Sequence, residues 1–151
     1  MLDYKSILLA EDSEKDVELT LEALSTQNLA NQVVVVRDGA EALDYLYCEG
    51  AHKERPKGNP AVVLLDLKMP KVNGLEVLRL IKGDEQLKSI PVVILTSSRE
   101  ESDLVEGYRL GVNSYVVKPV NFTEFIDAIR SLGVFWAIIN EPPLGTPRPK
   151  I

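Results

Sequence analysis

Five short apolar runs punctuate this chain: Ile7 to Ala10, Val33 to Val36, Ala61 to Leu65, Val92 to Leu95 and Tyr115 to Val117. They are rich in β-branched residues and show no polar alternation, the signature of strands buried on both faces. Amphipathic stretches lie between them. Val17, Leu21 and Leu24 keep helical spacing behind Ser13, whose hydroxyl can cap the first turn, with Asp16 three residues on. A second helix starts at Asp38, with Glu41 three residues later and Leu43, Leu46 and Tyr47 turned inward; a third carries Leu75, Leu78 and Ile81 and stops near Gly83. Ser98 with Glu101 opens a fourth, with Leu104, Val105 and Tyr108 inward and Gly111 at its end, and Asn121 with Glu124 opens a fifth. Strict alternation of five strands and five helices requires parallel pairing through right-handed crossovers. The expected fold is a doubly wound α/β sandwich with strand order 2-1-3-4-5.

A chain of 151 residues with 45% hydrophobic content buries a full core in one domain. No run nears the roughly 20 apolar residues that span a bilayer, and Met1 to Lys5 lacks the layout of an export signal, so no membrane association and a cytoplasmic location are expected. The single Cys48, expected on the second helix, reads as a packing residue, and the lone His52 as a solvated loop side chain. With no Cys/His cluster, structural zinc is excluded. A net charge of -6 argues against a nucleic-acid partner, which needs a concentrated basic face.

The residues that follow the strands carry the chemistry. Glu11 and Asp12 follow the first run, Asp66 the third, Thr96 the fourth and Lys118 the fifth. Ligands of open parallel sheets bind at the carboxyl ends of the strands, so three carboxylates, a hydroxyl and an ammonium meet at one edge. Each alone has an ordinary reading as a cap, a strand residue or a solvated charge. Together they predict one site for a divalent cation and a phosphoryl group.

The acidic pair Glu11-Asp12, the block Asp66-Leu67-Lys68-Met69-Pro70 ending at Gly74, Thr96-Ser97 and Lys118-Pro119 resemble the motifs of receiver domains of two-component response regulators, over Lys5 to about Leu132. The resemblance implies a flavodoxin-like receiver sandwich in which Asp66 takes a phosphoryl group from phosphohistidine on a histidine kinase. It implies Mg2+ held by Asp12, Asp66 and the main-chain carbonyl of Lys68, with Glu11 acting through water. It further implies that Lys118 pairs first with Asp66 and then with a phosphoryl oxygen, that Thr96 swings toward the phosphoryl, and that Tyr115 moves from exposed to buried in response. Pro119 would follow a cis bond that orients the lysine. Lys68 and Ser98 would tune the lifetime of the modified state, toward slow hydrolysis. No enzymatic activity is expected beyond self-phosphorylation from phosphodonors and autodephosphorylation.

Aspartate-nucleophile phosphatases place a second aspartate two residues after the first; this chain has Lys68 there. A flavin carrier needs a Gly/Ser/Thr phosphate loop after the first strand, where this chain has Glu11-Asp12-Ser13-Glu14. A phosphorylation-independent scaffold would lack one of the key residues, and all are present.

The polar loop from Gly50 to Pro60 reads as an exposed connection. The fifth helix has one stripe, Phe125, Ile129, Leu132, Trp136 and Ile139, that suffices to cover the sheet, yet Val134 to Ile139 is apolar throughout. A second surface is needed to cover it. These two segments resemble stand-alone regulators paired with bacterial phytochrome kinases, which implies a homodimer with Phe135 and Trp136 at the interface and output to a further protein. Residues 1–140 are thus expected to form one domain with an extended fifth helix, and residues 141–151 a proline-rich tail. Endpoint, phosphorelay intermediate and phosphate sink remain open on these residues.

Overall fold

The computed structural model describes residues 6–25, 33–96, 114–118 and 121–132. Five strands, β1 (Ile7–Ala10), β2 (Val33–Val36), β3 (Val62–Asp66), β4 (Val92–Thr96) and β5 (Ser114–Val117), form one parallel sheet in the order β2-β1-β3-β4-β5. Helices α1 (Glu14–Ser25), α2 (Gly39–Tyr47), α3 (Gly74–Gly83) and a C-terminal helix (Phe122–Leu132) connect or follow them.

Successive strand residues face opposite sides, so one continuous run supplies two cores. Leu8, Ala10, Val63, Leu65 and Ile94 pack with Ala42, Tyr45 and Leu46 of α2 and Val77, Leu78 and Ile81 of α3. Ile7, Leu9, Val62, Leu64, Val93 and Leu95 pack with Val17 and Leu24 of α1 and Phe125, Ile126 and Ala128 of the C-terminal helix. Burial on both faces holds for β1 and β3, whereas Val33 to Val35 of β2 are only half-buried because β2 is an edge strand.

The caps form as the sequence predicts. The hydroxyl of Ser13 accepts the N–H of Asp16 at 3.3 Å, Asp38 accepts that of Glu41 at 2.8 Å, and Asn121 that of Glu124 at 2.8 Å. The third helix has Asn73 as its cap, accepting the N–H of Glu76 at 3.0 Å.

Three expectations are corrected. Tyr47 is exposed and donates to Asp84 at 2.7 Å, while Tyr45 is buried with its hydroxyl 3.3 Å from Ser6 Oγ. At 100° per residue, Tyr45 shares the inner face with Ala42 and Leu46, and Tyr47 falls beyond it. Cys48 is the left-handed C-cap of α2, with φ 55°, its N–H turned back on the Asp44 and Tyr45 carbonyls. His52 is half-buried, 3.0 Å from Glu41 Oε2 and edge-on to the Tyr45 ring. It is drawn inward because the exposed loop is anchored by Arg55, which lies over the same ring at 4.0 Å and donates to the Tyr45 carbonyl at 2.7 Å.

The expected fourth helix with Ser98, the proline bond at Pro119, the extension carrying Phe135 and Trp136, and the tail lie outside the described residues.

Candidate functional site

Strand register brings the polar residues to one edge. Ala10 pairs with Leu65, so the next residues, Glu11 and Asp66, stand side by side at adjacent strand ends. Asp66 in turn pairs with Leu95, and Thr96 with Val117, the residue before Lys118. Asp66 and Thr96 are the last residues of their strands, each strand running one residue further than the apolar run predicts. The backbone of Thr96 is placed at this edge; its side chain is outside the described set.

The β3–α3 loop is held tightly under the site. Gly74 donates its N–H to the Leu67 carbonyl at 2.9 Å, and a Cβ there would lie 2.2 Å from the Asp66 carbonyl oxygen. Lys71, in left-handed backbone with φ 68°, reaches back to Asp38 at 3.5 Å. The N–H of Lys68 donates to Asp66 Oδ1 at 3.3 Å.

Glu11, Asp12 and Asp66 each present an oxygen, all within 4.8 Å of one another; Glu11 and Asp66 are buried and Asp12 is exposed. Lys118 Nζ sits among carboxylates, 2.6 Å from Glu11 Oε1, 3.0 Å from Asp16 Oδ2 and 3.5 Å from Asp66 Oδ1, with its side chain only 9% exposed. Asp16 is the site residue that sequence reading missed. It is visible there only as the third residue of a capped helix turn, and nothing in its spacing says that it faces the end of β5. Tyr115 is exposed on β5.

The electrostatics are those of an overfilled acidic pocket. Burial pushes the Asp66 carboxyl up to about 7; the neighbouring charge of Glu11 adds to this, and Lys118 and the Lys68 N–H offset part of it. Burial draws the Lys118 ammonium down, but hydrogen bonds to Glu11 and Asp16 and the charges of Asp66 and Glu11 outweigh it and leave its pKa raised. Glu11 Oε2 accepts the N–H of Ser13 at 3.1 Å, and the buried Oε1 has the Lys118 ammonium at 2.6 Å. Three carboxylates with oxygens within 4.8 Å of one another, two of them buried, fit a hard divalent cation. Among the described residues, Glu11, Asp12 and Asp66 are the side chains that can hold one, and the Asp66 carboxylate in the same cluster has the Lys118 ammonium 3.5 Å away.

The model of the response regulator receiver domain family matches residues 7–130. The chain belongs to that family. Among solved structures, this receiver is 63% identical to the bacteriophytochrome response regulator RtBRR, with a TM-score of 0.83 over 96% of this chain and 86% of that one. It is 39% identical over 132 residues to the response regulator Rcp1 of Synechocystis, covering 87% of this chain and 88% of Rcp1. A structure of the Mn2+-bound form of Rcp1 aligns with a TM-score of 0.73 over 97% of this chain and 99% of that one. The phosphorylated cyanobacterial phytochrome response regulator RcpA is 41% identical, with a TM-score of 0.73 over 88% of this receiver and 94% of RcpA.

Proposed function

We propose that this receiver works as a single-domain response regulator, accepting a phosphoryl group on Asp66 from a histidine kinase of the bacterial phytochrome type. The observation that carries the reading is the buried Asp66 carboxylate at the end of β3, with Glu11 and Asp12 within 4.8 Å and Lys118 at 3.5 Å. An oxygen of Asp66 attacks phosphorus, the P–N bond of the donor phosphohistidine breaks, and the imidazole leaves as the acyl phosphate forms. Lys118 is placed to follow the phosphoryl oxygens as a compact charge on a flexible stem. Glu11, Asp12, Asp66 and the Lys68 carbonyl would hold Mg2+, which when bound neutralises charge on the transferring group. Relatives named for phytochromes, one of them in phosphorylated form, support the partner, and the Mn2+-bound form of Rcp1 supports the cation class.

The switch roles of Thr96 and Tyr115 belong to the same reading, supported by a Tyr115 that begins exposed. So do the single domain of residues 1–140, its cytoplasmic location, a homodimer through Phe135 and Trp136, and a downstream protein that reads the receiver surface. Incubation with Mg2+ and acetyl phosphate, followed by mass analysis, is expected to place one phosphoryl group on Asp66 and none on Asp66→Asn. Full labelling of that variant would refute the assignment. For the dimer, sedimentation of Phe135→Ala/Trp136→Ala is expected to show loss of self-association with labelling intact.

A further inference from the structure

An ammonium has three N–H donors, and Lys118 is surrounded by three carboxylates at unequal distances. Glu11 at 2.6 Å and Asp16 at 3.0 Å are the near ones; Asp66, whose chemistry the lysine would serve, is the far one at 3.5 Å. Asp16 differs from the other two in position. It stands outside the group of acidic oxygens that can share a cation, in the first turn of α1, and its carboxylate accepts directly from Lys118 Nζ across a sequence separation of 102 residues. Its backbone is fixed by the Ser13 cap, and Ser13 also donates its own N–H to Glu11. One serine therefore sets the relative positions of the two near carboxylates. A cation bound to Glu11 and Asp66 would draw on their charge and leave Asp16 as the anion free to hold the lysine.

We propose that Asp16 is a positioning residue that holds the Lys118 ammonium off Asp66 and competes for it with the phosphoryl group. This rests on the phosphoacceptor reading and adds a residue to it. Each step that brings Lys118 onto a phosphoryl oxygen must loosen the 3.0 Å contact to Asp16, so Asp16 weakens the modified state relative to the unmodified one. An ordinary surface ion pair would leave that balance unaffected, but here the lysine side chain is 9% exposed while Asp16 is 31% exposed, so the pair joins the buried site to its rim.

The test is the affinity for beryllium trifluoride, a phosphoryl-mimicking anion, at fixed Mg2+ in wild type, Asp16→Asn, Asp16→Glu and the two Asp16 variants combined with Lys118→Gln. Asp16→Asn is expected to bind about two- to five-fold tighter, the range for a partly screened ion pair. Asp16→Glu restores the wild-type value, and the gain disappears when Lys118 is also replaced. Equal or weaker binding by Asp16→Asn in a protein that melts normally, or a gain that persists without Lys118, overturns the competition. If wild type itself binds no beryllium trifluoride and takes no phosphoryl from acetyl phosphate, the phosphoacceptor reading fails along with it, and the two failures are told apart by that control.

Discussion

Glu11 Oε1 lies 2.6 Å from the Nζ of Lys118, closer than any oxygen of the Asp66 that the lysine would assist, and Glu11 is wholly buried. The pair therefore governs two properties of Asp66 at once: the negative charge beside it and the positive charge withheld from it. In Glu11→Gln both effects change in one direction, since a source of repulsion is lost and Lys118 is released toward Asp66. The Asp66 carboxyl is expected to titrate below the wild-type value of about 7 in chelator. Carboxyl-carbon NMR measures this, and an unmoved midpoint would show that burial alone sets the shift.

The raised Asp66 also makes a statement about stability. Its folded pKa of about 7 lies above the 3.8 of an unperturbed aspartate, so the folded form holds the proton more tightly. The stabilisation from this group is fully present below about 3.8 and is lost as pH rises through about 7. In chelator, wild type should lose stability relative to Asp66→Asn between pH 5 and pH 8. Thermal melts of both proteins across that window decide it; a difference that is flat or grows in favour of wild type contradicts the crowded-carboxylate account.

Asp12 is the exposed member of the acidic group, so removing it relieves repulsion with Glu11 and Asp66 without emptying a buried position. Asp12→Ala should melt higher than wild type in chelator. It should also lose the gain from Mg2+, which by preferential binding to the folded state is about 1.4 kcal/mol when the ion stands at ten times its Kd. A variant less stable in chelator that still gains from Mg2+ would remove Asp12 from the site.

Gly39, at the start of α2, packs against the β3–α3 loop: a Cβ there would meet the Val72 carbonyl oxygen at 1.8 Å. That oxygen is backbone and not the free end of a side chain, so Gly39→Ala must shift backbone and is expected to cost about 1 to 3 kcal/mol, the range for overpacking. Gly83, the last residue of α3, has nothing within 4 Å of its would-be Cβ. Gly83→Ala should be neutral or stabilise by up to about 1 kcal/mol through helix propensity. Urea melts of the two variants compare them directly, and equal effects would show that space around the glycine is not what separates them.

The strands, their parallel order and the polar residues at their ends were legible in the sequence because each follows from local periodicity. An apolar β-branched run identifies a strand, alternation with helices dictates parallel crossovers, and the residue after a run must stand at the strand's carboxyl end. Glu11, Asp66, Thr96 and Lys118 were placed by that logic, and the capping serine, aspartate and asparagine by the same local chemistry. What depends on helix phase and side-chain reach was not legible. Tyr45 rather than Tyr47 turns inward because two residues along a helix are separated by a rotation of about 200°. His52 left the solvent because the Tyr45 ring, which also carries Arg55 over it, gave it an edge to pack on. Gly39 met Val72, and Asp16 met Lys118, across elements whose spacing no sequence pattern encodes. The sequence determined which charges arrive at the sheet edge; the tertiary structure decided which of them touch, because ångström differences between Glu11, Asp16 and Asp66 rank the partners of a single ammonium.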